Sequence, residues 1–102
     1  MKIIKELSEM IEEELCDVDK YVKAAIREKP DNPSLSEVFY TLAREEMDHS
    51  ERLHAAVVKV IKNYRDKNGD PPPGMQALYD YLHEAHMEKA ARLQYYLNKY
   101  TE

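Results

Sequence analysis

The chain has 102 residues, 34% of them charged and 43% hydrophobic, with a formal net charge of -5. Those proportions suit a single domain over residues 1–102 and exclude a disordered polyelectrolyte or a membrane-embedded bundle. Acidity without a basic patch also argues against nucleic acid as a partner.

Cys16 is the only cysteine, so no disulfide framework forms within one chain, and a reducing compartment is expected. Met1 to Ser8 reads as helix, with neither the apolar run nor the small-residue cleavage site of a signal peptide. No apolar stretch approaches the roughly 20 residues of a membrane span. These features predict a cytoplasmic protein. Abundant Glu, Lys, Ala and Leu beside only 2 glycines predict an all-α fold.

Three helices are expected in chain order. The first runs from about Ile3 to Glu28 on the stripe Ile4, Leu7, Ile11, Glu14, Val18, Val22, Ala25, and ends at Pro30 and Pro33. The second runs from about Ser34 to Lys67 on the stripe Leu35, Phe39, Leu42, Glu46, His49, Leu53, Ala56, Val60, Tyr64. Ser34 and Glu37 have capping-box spacing, while Asn32 before Pro33 is the rival cap. Asn68-Gly69 is a stop signal. The third helix runs from about Met75 to Lys99 on Tyr79, Leu82, His86, Ala90, Leu93, Leu97 and Tyr100, after a stiff Pro71-Pro72-Pro73-Gly74 connector.

Glu14, Glu46 and His49 occupy stripe positions where leucines belong. A carboxylate is costly to bury unless something compensates, and a divalent cation compensates for Glu and neutral His together. Glu46 and His49, at i and i+3, share a helix face. Folded as an antiparallel hairpin, helices one and two place Glu14 about 21 Å and Glu46 about 18 Å from the turn, at one height. Glu13 is the rival of Glu14, and Glu45, four residues before His49, is the rival of Glu46. One hairpin supplies one Glu and one Glu-x-x-His. A di-iron carboxylate bundle uses two such sets, so a two-fold homodimer is the implied assembly. The donors suit iron, manganese or zinc.

Glu13-Glu14-Leu15-Cys16-Asp17-Val18-Asp19-Lys20-Tyr21 followed by Glu45-Glu46-Met47-Asp48-His49 resembles the ferritin-like superfamily, and within it the encapsulated-ferritin type, a short chain forming half a bundle. That type carries a ligand Glu seven residues before a Tyr on helix one and Glu-x-x-His on helix two, which Glu14, Tyr21, Glu46 and His49 reproduce. The likeness spans roughly residues 10 to 66. It implies a hairpin plus a shorter third helix, completed to a four-helix bundle by dimerisation. It also implies a di-iron site at the interface and ferroxidase activity, with Glu14, Glu46 and His49 as ligands. Such proteins end in a tail that addresses them to a protein shell. This chain ends at Tyr100-Thr101-Glu102, directly after helix three, which puts a shell partner in doubt.

Tyr21 has two readings, a hydroxyl beside a ligand carboxylate or a core aromatic. His83 and His86 are spaced i, i+3, but their height on helix three differs from that of His49 by roughly 9 Å, which sets them apart from the first cluster. Cys16 is expected to be buried or partly buried, His54 exposed, and Asp17 either behind His49 or solvated. The competing functional readings are a helical oligomer that docks a partner through helix three, and a divalent-metal binder without turnover.

Overall fold

Pro30 and Pro33 interrupt two long amphipathic segments, and the chain turns there. The computed structural model describes residues 1–102 as three helices, α1 (Lys2–Glu28), α2 (Pro33–Asn68) and α3 (Pro73–Tyr100), with no strands. Proline lacks an N–H and has a helical φ, so it suits the first position of a helix, and Pro33 takes that place in α2. Asn32 is therefore the cap: its side chain accepts a hydrogen bond from the Leu35 amide at 3.4 Å, and the Ser34–Glu37 box is not used. Gly69 ends α2 at φ 77°, a left-handed conformation that favours glycine, and its amide donates to the Arg65 carbonyl at 2.9 Å.

The connector is shorter than expected. Pro72 is extended, at φ -54° and ψ 148°, while Pro73 and Gly74 already belong to α3. The third helix is consequently 28 residues long, against 27 for α1, and is shorter only than the 36-residue α2.

The molecule is a rod of 56 × 19 × 17 Å, its long axis set by α2. α1 and α2 pair closely as a hairpin, and α3 lies on α1 while touching α2 sparingly. The core comprises Ile11, Leu15, Val18 and Val22 of α1, Ala43 and Met47 of α2, and Leu93 and Leu97 of α3. Burying each large apolar side chain here contributes about 1.5–3 kcal/mol.

The stripe read from α2 is displaced from the residues that face this core. The buried positions are Ser36, Ala43, Met47 and Ser50, each one residue beyond Leu35, Leu42, Glu46 and His49. One residue is about 100° around a helix. The apolar stripe Leu35, Phe39, Leu42, Leu53, Ala56, Val60 is thus a second face, exposed or half-buried, beside the core rather than within it. α1 repeats the arrangement. Ile4, Ile11, Leu15, Val18, Val22 and Ala25 are buried, while Leu7, Glu14, Asp17 and Tyr21 are half-buried and Met10 is exposed. The two flanks form a seam along the hairpin on the side that α3 leaves open.

The far end of α3 is fastened to the α1–α2 turn. The buried Ser36 hydroxyl donates to the Ala25 carbonyl at 2.5 Å and lies 2.9 Å from the Tyr100 hydroxyl. Tyr100 also stacks on Tyr40 with ring centroids 4.4 Å apart, and Lys29 donates to the Tyr100 carbonyl. No helix is long and apolar enough to cross a membrane.

Candidate metal centre

The seam is interrupted at mid-length by three ionisable side chains. Glu14 projects from α1, and Glu46 and His49 project from consecutive turns of α2. One donor atom from each lies within 4.8 Å of the other two. His49 Nδ1 stands 3.5 Å from Glu14 Oε2 and 3.7 Å from Glu46 Oε1. The close pairing of the helices produces this meeting. Small side chains at Ala24, Ala25, Ser36 and Ala43 are buried between the elements and let the backbones approach. Glu13 and Glu45 point to solvent and take no part in the group.

Two observations show electrostatic stress in the group. Glu14 Oε2 is shielded from water and has no hydrogen-bond partner. Such an atom loses its hydration without replacement, which costs on the order of 1–3 kcal/mol or more for a charged group. The Glu46 carboxyl is pushed up to about 7. The first cause is the Glu14 carboxyl, which shares a hydrogen bond with its protonated form; burial adds to this, as do the charges of Glu14 and Asp17, while His49 acts in the opposite direction. A strongly perturbed carboxyl that faces a second one marks a candidate functional site. By donor chemistry, two carboxylate oxygens and an imidazole nitrogen are a set that could hold a divalent cation.

The remaining residues singled out in the sequence sort by position. Asp17 is half-buried one turn along α1, close enough for its charge to be felt at Glu46. Tyr21 is packed against the core cluster, its ring stacked on Phe39 at 6.5 Å. The expectation of a buried Cys16 does not hold. It is exposed at the charged edge where α1 meets α3, its Sγ 3.4 Å from Lys89 Nζ. The expectation of an exposed His54 also fails: it is half-buried, with its ring 4.8 Å from that of the exposed His83. His86 is buried, and its Nε2 lies 3.8 Å from Glu12 Oε2. His54, His83 and His86 take no part in the Glu14 group.

Glu12 and Lys89 carry structural weight that the sequence did not reveal. Lys89 Nζ donates to Glu12 Oε1 at 2.6 Å, which holds the Glu12 carboxyl below and the Lys89 ammonium above their ordinary values. Their partnership spans α1 and α3, so no spacing within either helix could announce it. No family model, no curated relative and no solved structure matches this chain.

Proposed function

We propose that this chain is an iron-binding protein of ferritin-like type. Two copies pair across the open seam, and two sets of Glu14, Glu46 and His49 form a di-iron carboxylate site that oxidises Fe(II) to Fe(III). The observation carrying this reading is the convergence of Glu14, Glu46 and His49 midway along an otherwise apolar face, with Glu14 Oε2 shielded and unpartnered. A single chain leaves His49 half exposed and supplies three donors. A second copy related by a two-fold axis covers the apolar stripe and doubles the donor set.

Fe(II) is the substrate. Two Fe(II) ions give up one electron each to O2, which takes two protons and leaves as hydrogen peroxide. Glu14 and Glu46 provide the anionic oxygens that favour the higher charge of Fe(III). Glu46 is partly protonated near neutral pH and gives up that proton when a cation binds. His49 supplies an imidazole nitrogen. The surrounding Leu42, Phe39 and Leu53 limit water in the assembled site and so strengthen these interactions.

The test is anaerobic addition of Fe(II) to metal-free protein, then admission of air, with absorbance followed in the ferric ultraviolet band. The wild-type chain should produce a rise well above buffer, and sedimentation should show a dimer. Glu46→Ala should remain at the buffer rate with helicity unchanged. Oxidation at the wild-type rate in that variant, or a wild-type rate no faster than buffer, overturns the assignment.

A further inference from the structure

α3 touches α2 sparingly, and a cleft of about 420 Å³ stays open between them over the N-terminal half of α1. Three of the four histidines in the chain line it: His54 of α2, and His83 and His86 of α3. The rings of His54 and His83 already face each other across the cleft with centroids 4.8 Å apart. His83 and His86 are one turn apart on one face of α3, a spacing that sets Cβ atoms about 5–6 Å apart. His86 is buried, and its Nε2 faces the Glu12 carboxylate at 3.8 Å. The distance is too long for a hydrogen bond, but it places a carboxylate beside one ring nitrogen, the kind of neighbour that orients metal-binding histidines.

We propose that His54, His83 and His86 form a second cation site, separate from the Glu14 group, which takes a divalent ion of the zinc class. The donor set decides the class. Three imidazoles suit zinc and its late transition-metal neighbours, whereas the carboxylate-rich seam suits iron or manganese. Burial disfavours the charged form of His54 and His86. The three donors are less tightly gathered than those of Glu14, Glu46 and His49. His83 is exposed and free to rotate toward an ion, while His86 is fixed by Glu12 and the core. A bound ion joins α2 to α3 at the level where the bundle is otherwise open.

The experiment uses the full untagged chain with Glu14→Gln, Glu46→Gln and His49→Gln, which disables the first site and makes the result independent of it. Zn²⁺ alone is titrated calorimetrically. One Zn²⁺ per chain is expected, with the ring-proton resonances of His54, His83 and His86 shifting together. Adding His83→Gln, an exposed position whose replacement leaves the core intact, should weaken binding by about tenfold or more. Adding His54→Gln as well should abolish it, with circular dichroism reporting unchanged helicity. No zinc binding in the first background, or binding that His83→Gln leaves within a few-fold, overturns the proposal.

Discussion

One step along α2, from Leu42 to Ala43, Glu46 to Met47 or His49 to Ser50, crosses from the open flank of the hairpin to the closed one. On the closed flank, α3 covers Leu15, Val18, Val22, Ala43 and Met47, and the buried polar residues are Ser36 and Ser50, whose hydroxyls donate to backbone carbonyls, and His86, which lies beside Glu12. On the open flank, large apolar residues stay half-buried and ionisable groups sit among them at one level. The closed flank follows the rules of stability, with full burial and every polar atom paired. The open flank breaks both rules at the same place. An unpartnered carboxylate oxygen and a raised carboxyl meet there, and breaks of this kind are expected at functional or strained sites.

The contrast predicts a large difference in mutational cost. Leu93 is fully buried against the closed flank. Leu93→Ala should cost about 2–5 kcal/mol of unfolding free energy in urea denaturation of dilute protein. Met10 lies on the open flank and is 45% exposed. Met10→Ser should stay within about 0.5 kcal/mol in the same measurement. It should instead weaken self-association in sedimentation at higher concentration. Equal costs for the two changes would erase the distinction between the flanks.

The open flank should also respond to pH in a direction that the closed flank cannot. The groups facing Glu46 are Glu14 and Asp17 from α1 and His49 from α2. Folded Glu46 holds its proton up to about 7, against 4.5 for the ordinary carboxyl. Between those values the folded chain carries more protons than the unfolded one, so the stability tied to this proton is fully present below 4.5 and lost as pH rises through 7. In chelator-treated buffer, Glu46→Gln should therefore gain stability relative to wild type on going from pH 5 to pH 8. A difference between the two proteins that stays constant over that range contradicts the raised value.

Much of the fold was legible because long helices declare themselves by periodicity and by punctuation. Pro30, Pro33 and Gly69 marked the breaks, and the α3 stripe from Tyr79 to Leu97 contains every buried residue of that helix. The α2 face was misplaced for a physical reason. Hydrophobic periodicity weights large side chains, yet helices approach most closely over small ones, and Ser36, Ala43 and Ser50 carry almost no apolar signal. The same error left the polar intrusions visible, since Glu46 and His49 stand out among leucines whichever way that face turns. The Glu14 level was readable from hairpin geometry, because a short turn fixes the register of both arms. The Glu12–Lys89 pair, the meeting of the His54 and His83 rings and the exposure of Cys16 were not readable. Each depends on the rotation of α3 about its own axis, which the proline connector does not encode.

A modest expected effect tests whether α3 acts only as the cover of the closed flank. Its last turn is held by Tyr100, whose hydroxyl lies 2.9 Å from Ser36 Oγ. Ser36 has one hydroxyl proton and gives it to the Ala25 carbonyl, so Tyr100 is the donor in the second bond. Tyr100→Phe removes that donor but leaves Ser36 bonded to Ala25 and keeps the ring on Tyr40. The cost should be about 0.5–1.5 kcal/mol, the usual net value of one hydrogen bond. Amide exchange should quicken in the last turns of α3, around Leu97, and stay unchanged around Glu46. Faster exchange at Glu46 as well would mean that the cover and the seam move as one body, and the division of the hairpin into two independent flanks would not hold.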